Sequence, residues 1–172
     1  MPSTHGDTTS YSVVETAKLL RAALKQTYPG IKFGVKSTSY SGGASINVTW
    51  TDGPVDSDVE KTAKQFEGAT FDGRTDSMNY LTKQFAGAKV RWGANFVFVR
   101  RAMSADHIAA VTDTLPVEPD GKDNGQCQAC GDWKPTDDRW MAKIALWDGR
   151  PSTVFACTRE CAGRKTAAHV PA

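Results

Sequence analysis

The chain has 172 residues, 40% of them hydrophobic and 23% charged, with 21 Lys and Arg against 19 Asp and Glu for a net charge of +2. That length holds one ordinary domain, or a small domain with a smaller companion. The near balance of charge argues against a strongly basic nucleic-acid binder and against an acidic mimic of DNA.

The opening "MPSTHGDTTS" is polar and lacks the apolar stretch of a signal peptide. No apolar run reaches membrane-spanning length, so the expected location is the cytoplasm of a bacterial host. Ser12 stands three residues before Glu15, the spacing of a capping box. Val13, Ala17, Leu20 and Leu24 follow at helical spacing, which predicts an amphipathic helix over 13–27, stopped by "YPG". "IKFGVKSTS" and "ASINVTW" both alternate apolar and polar residues around "YSGG", the pattern of a hairpin. Ser57 and Glu60 have the spacing of a second capping box, ahead of a helix bearing Val59, Ala63 and Phe66 and closed by Gly68.

"ATFDGRTD" reads as a loop, and Met78, Leu81 and Phe85 as the stripe of a third helix. "ANFVFVR" is apolar on both faces and predicts a buried strand. Ser104 then caps a last helix carrying Ile108, Val111 and Leu115. The order α-β-β-α-α-β-α is an α+β fold, a small antiparallel-type sheet with packed helices, over residues 1–115. "PVEPDGKDNG", residues 116–125, reads as a linker, and 126–172 as a second module.

All four cysteines lie in that module. Cys127 and Cys130 form C-x2-C, and Cys157 and Cys161 form C-x3-C. In a reducing compartment such pairs read as ligands of a structural Zn2+, and four thiolates leave no open coordination position. The plainer alternatives are four unrelated thiols or disulfides. His169 lies well beyond Cys161 and reads as a tail residue, although it is the one histidine near enough to replace a ligand. Between the pairs, "RWMAKIALW", the turn pair "DG" and "PSTVFA" read as a hairpin, and "TRECAGRKTAAH" as a helix holding Cys161 in its first turn. Knuckle, hairpin and helix in that order resemble a treble-clef zinc finger. A module of about 45 residues buries too little core alone, so the metal would supply much of its folding energy.

Three stretches carry a resemblance to a known family: "SYSGG" at 39–43, "SINVTWTDGP" at 45–54, and F-x-G-x-x-FDG-x-TD from Phe66 to Asp76. On these, roughly residues 13–100 resemble the large polyvalent-protein-associated domains, the twenty-ninth of that series. The resemblance implies an α+β fold and a setting in phages or conjugative elements, whose proteins of this kind help incoming DNA to establish itself or to evade host defences. It carries no catalytic residues. A short chain with its own zinc module departs from the usual setting, a segment of a giant polyprotein.

Catalysis has little support. The histidines are His5, His107 and His169, and no cysteine precedes Cys127 to partner them. Asp52, Asp72 and Asp76 read as turn and cap residues. "SGGA" lacks the Lys-Ser/Thr ending of a phosphate loop. No enzyme activity and no small-molecule substrate are expected, and no membrane partner. Binding has more support, because residues 18–36 and 83–101 carry cations and no acid. Lys32, Lys36 and Tyr40 share the hairpin, Lys89, Arg91, Trp92, Arg100 and Arg101 follow, and Arg164 and Lys165 lie on the last helix. Cations neutralise phosphate and an exposed aromatic stacks on a base. Against this stands a simple solvated face, with Trp92 in the core. The expected partner is nucleic acid. The alternative is a host protein complex, bound by an inhibitor of the anti-restriction or anti-CRISPR type with Tyr40 and Trp133 as anchors.

Overall fold

The structure, a computed structural model, describes residues 2–114, 117–119, 124–131, 133–135, 140–145 and 151–172. Helix α1 (Val13–Thr27) begins where the capping box predicts. The Ser12 hydroxyl accepts from the Glu15 N–H at 3.3 Å, and the Glu15 carboxylate accepts from the Ser12 N–H at 2.9 Å. That backbone donor at Ser12 is the main reason the Glu15 carboxyl is held down at about 2. Its support of the helix is therefore fully present above about pH 4.5 and fades only as the pH falls towards 2.

Strands β1 (Ser3–His5) and β2 (Thr8–Ser10) precede α1, and β3 (Gly34–Tyr40) and β4 (Gly43–Thr51) follow it as an antiparallel hairpin with Lys36 opposite Asn47. Helix α2 (Asp56–Ala63) continues into a 3-10 turn, Lys64–Phe66. The second capping box does not form. The helix already starts at Asp56, so Ser57 lies inside its first turn with its Oγ buried and unpartnered. Asp56 and Asp58 in that turn suit the positive end of the helix instead.

The expected third helix is absent. Its residues belong to β6 (Ser77–Tyr80), which pairs with β5 (Ala69–Asp72), and to β7 (Lys83–Phe85), which pairs with β8 (Ala88–Arg91). The "ATFDGRTD" loop is thus half strand. Two reversals break the helical period. Asp76 has φ 50°, and the Ala86–Gly87 pair between β7 and β8 has φ 48° and 81°, the geometry of a tight hairpin turn with both central residues left-handed. Strand β9 (Phe96–Ala102) joins β4 to complete the order β3-β4-β9. Asn95 N–H donates to Ala44 O at one end and Asp52 N–H to Ala102 O at the other, so β9 runs in the direction of β4. A second sheet has the order β1-β2-β8-β7.

The chain divides into two units, Met1–Trp50 with Asp56–Arg101, and Thr51–Val55 with Ala102–Ala172. In the first, Ala17, Leu20 and Leu24 of α1 meet Ile46, Val48 and Trp50 of β4, Val59 and Ala63 of α2, and Val97 of β9. Both helices therefore draw on one face of the β3-β4-β9 sheet.

The second unit includes helix α3 (Ala105–Thr114), capped by Ser104 Oγ accepting from His107 N–H at 3.1 Å. It also includes β10 (Val117–Pro119), β11 (Asn124–Gln126), β12 (Trp133–Pro135), β13 (Trp140–Ala145), β14 (Pro151–Ala156) and α4 (Arg159–Ala167). Two strands thus fall within the span read as a linker, β10 pairing with β13 and β11 with β12. The sequence division at residue 115 gave α3 to the first domain, whereas here α3 lies against α4. The reason is local. Gly163 has no side chain, and a Cβ there would collide with the Thr112 hydroxyl. Leu115, at the end of the predicted helix, and the "DG" turn at 148–149 lie outside the described residues.

The left-handed Ala86 carries a steric cost of roughly 1–2 kcal/mol that Asn tolerates better. Ala86→Asn is expected to raise the thermal midpoint of the first unit by a few degrees in a melting experiment, and a fall would contradict the turn.

Candidate metal centre and cationic face

Cys127 and Cys130 stand in the turn between β11 and β12. The turn closes through Gly131 N–H donating to Cys127 O at 2.9 Å, with Gly131 at φ 83°. It is tied to β14 twice: Gln128 N–H donates to Phe155 O at 2.8 Å, and Phe155 N–H donates to the Gln128 side chain at 3.0 Å. Strand β14 ends one residue before Cys157, and Thr158 caps α4 by accepting from Cys161 N–H at 3.1 Å. Two short elements thus bring each pair to one place.

All four sulfurs lie within 4.8 Å of one another. Cys130 and Cys157 are 3.7 Å apart and Cys157 and Cys161 3.6 Å apart, sulfur to sulfur. A tetrahedral ion bound at about 2.3 Å sets sulfur–sulfur edges of about 3.8 Å, while a disulfide needs about 2 Å. The spacing fits a four-thiolate metal site, and the thiols are free.

The electrostatics agree. Burial opposes ionisation of Cys127, but the N–H groups of Cys130, Cys157 and Ala129 outweigh it and bring the thiol down to about 6. Cys157 is pushed up to about 12, first by burial and then by the thiols of Cys161, Cys130 and Cys127 around it. Several thiolates this close need a cation between them. These four cysteines can hold a metal ion. His169 is not among the clustered ligands.

The sequence-predicted binding residues scatter. Trp92 is corrected: it is 6% exposed, its ring packs on Tyr11, Phe66 and Phe85, and its Nε1 donates to Gln65 O at 2.8 Å. It is a core residue because the alternation of β8 carries one residue past its end, turning Val90 and Trp92 inward and Lys89 and Arg91 outward. Lys89 is exposed, and Arg91 Nε donates to Thr82 Oγ1 at 3.3 Å. Arg101 is half-buried on the opposite face of β9 from Arg100, so the two do not share a surface.

Arg100 and Lys36 instead lie on the outer strands of one sheet, with β4 between them. Lys36 lies opposite Asn47, and Asn47, Thr49, Phe98 and Arg100 line one groove of about 330 Å³. Lys32 is exposed just before β3, and Tyr40 is 49% exposed at the hairpin tip. In the second unit, Arg164 is paired with Glu160 at 3.2 Å and Lys165 is half-buried. Trp133 lies on β12, and its side chain is outside what is described.

Phe98 and Asn47 escaped the sequence reading, which took "ANFVFVR" as buried on both faces. Phe98 is 53% exposed. The signal was present in the alternation itself, since the β-branched Val97 and Val99 share one face while Phe96, Phe98 and Arg100 share the other.

The histidine and carboxylates considered for chemistry have structural partners. His107 Nε2 lies 3.3 Å from Ala167 O. Asp72 Oδ1 accepts from Arg74 N–H at 2.9 Å, and Asp52 Oδ1 accepts from Ser104 N–H at 2.8 Å.

Residues 11–104 match the family model described as large polyvalent protein associated domain 29. The chain belongs to that family. Membership associates it with phages and other mobile elements. The large polyvalent protein associated domain 29 match takes in the whole β3-β4-β9 sheet and ends at Ser104, before the cysteines. No curated protein and no solved structure matches the chain. Among the described residues, no helix is long and apolar enough to cross a membrane.

Elemental analysis of the isolated protein is expected to give one transition-metal ion per chain. Cys157→Ser should bring the content well below one, and uptake should weaken as pH falls, because each thiolate must first lose a proton. An unchanged metal content in the variant would rule the cluster out as the site.

Proposed function

We propose that this chain is a non-enzymatic accessory protein of a phage or other mobile element that binds nucleic acid through cations on its first unit. The metal in the four-cysteine site is zinc, in a structural role, and the second unit is a treble-clef-like module. It works in the cytoplasm of a bacterial host.

The observation that supports nucleic acid is a groove lined by Arg100 and Asn47, with Lys36 on the strand opposite Asn47. Neither makes an ion pair among the described residues. An unpaired cation keeps its full attraction for phosphate. Lys32, Lys89 and Arg91 add exposed positive charge to the same unit. Zinc is supported by the donor set, since soft thiolates in a closed tetrahedron favour it and leave no site for a reacting water.

A second reading is a protein-binding inhibitor of a host restriction or CRISPR system. It draws on exposed aromatics: Tyr40 at the hairpin tip, and Phe71 and Tyr80 on the β5–β6 hairpin, 55% and 69% exposed. Capture from host lysate after nuclease treatment separates the readings, because a stoichiometric protein partner that survives the nuclease favours the inhibitor.

The nucleic-acid reading is tested by a gel shift across salt concentrations. Affinity should fall steeply with salt, and removing Lys89 and Arg91 should flatten that dependence by roughly 0.7–0.9 in log–log slope for each phosphate that is no longer neutralised. Absence of any shift at low salt would refute this reading.

A further inference from the structure

We infer that the outward face of the β3-β4-β9 sheet is a platform for single-stranded nucleic acid, with Phe98 stacking on a base and Lys36 and Arg100 holding the flanking phosphates. The inference rests on the nucleic-acid reading above and names both the substrate class and the site.

The two faces of this sheet differ. Inward, β4 presents Ile46, Val48 and Trp50 to α1 and α2. Outward, the three strands present Lys36 and Thr38 from β3, Asn47 and Thr49 from β4, and Phe96, Phe98 and Arg100 from β9. That outward set contains two cations and no acid. A large aromatic at the middle of a strand is ordinarily covered, yet Phe98 is 53% exposed, with the half-buried Phe96 ring 6.2 Å from it, centroid to centroid.

Phe98 faces Asn47 across the groove, and Lys36 is paired with Asn47 on the far strand. With strands about 4.8 Å apart, Lys36 and Phe98 stand about 10 Å apart across the sheet. Arg100 follows Phe98 by two residues on the same face.

Each group has a chemical counterpart in one ligand. An exposed ring offers a π face to a base, and the Asn47 amide offers a donor and an acceptor to a base edge. The two cations match phosphate. Only unpaired, unstacked bases have a free face for the ring, so the ligand is a single strand and not a duplex. An additional protein strand or helix would leave the two cations without matching charge unless it were acidic.

Fluorescence anisotropy of the full-length, metal-loaded chain tests this with labelled oligothymidylate, oligouridylate and a duplex, each of about 20 nucleotides. Both single strands should be preferred over the duplex, and the comparison of thymidylate with uridylate tells DNA from RNA as the better ligand. Phe98→Ala should weaken single-strand binding roughly 10-fold, and Phe98→Trp should restore it. Lys36→Ala with Arg100→Ala should lower the salt slope by about 1.4, at about 0.7 for each phosphate neutralised on a single strand. Thermal melting confirms folding, and the exposure of Phe98 makes its variants tolerable. Duplex binding equal to single-strand binding, or full affinity in Phe98→Ala, overturns the platform and leaves the broader nucleic-acid role standing. Absence of binding to all three probes removes both.

Discussion

Four sulfur atoms within 4.8 Å of one another impose the strongest constraint in the second unit. Thiolates at that spacing repel, and protonated thiols make only weak hydrogen bonds. A dication at the centre would resolve the conflict by neutralising the cluster. The neighbouring backbone anticipates it. The N–H groups of Ala129 and Cys130 already point at the Cys127 sulfur, at 3.4 and 3.5 Å, and the cap of α4 fixes Cys161. Among the described residues, the buried ones around this point are Cys127, Ala156 and Ala162, with Ala129, Cys157 and Cys161 packed against them.

The first unit is held together by burial. Its core is large and aromatic, built on Trp92, Phe66 and Phe85 beside the aliphatic residues of α1 and β4. Its helices satisfy one side of the β3-β4-β9 sheet, which leaves the other free to carry polar and charged residues without cost to stability. One unit is held by burial of a large core, and the other gathers four cysteines that can hold a metal ion. The family match, residues 11–104, covers most of the first unit and stops before the cysteines.

How far the sequence revealed this depends on whether the signals were local. Helix α1 was legible because Ser12, Glu15 and the Val13–Leu24 stripe all agree within one short segment. The cysteine centre was legible because ligand spacing survives any choice of fold. Met78, Leu81 and Phe85 misled because three apolar residues can satisfy a helical period by chance, while the turn that cancels it uses Ala86 in a conformation more typical of Gly or Asn. The exchange of roles between Trp92 and Phe98 was hidden for a different reason. Which aromatic faces inward depends on strand partners distant along the chain, and neither residue's neighbours state them. The grouping of α3 with α4 was equally remote, since it turns on one missing side chain at Gly163.

The same-direction pairing of β4 and β9 has a bearing on how the molecule comes into being. The β3–β4 hairpin can form from adjacent residues, but its partner arrives only after everything from Asp52 to Asn95 has been synthesised. Closing so long a loop is slow compared with making a hairpin. During translation the edge of β4 therefore stays open until late on the ribosome, and Lys36 waits for Arg100. A nascent chain released early would carry half of the cationic pair and an unpaired strand edge, a form prone to clump with its own kind.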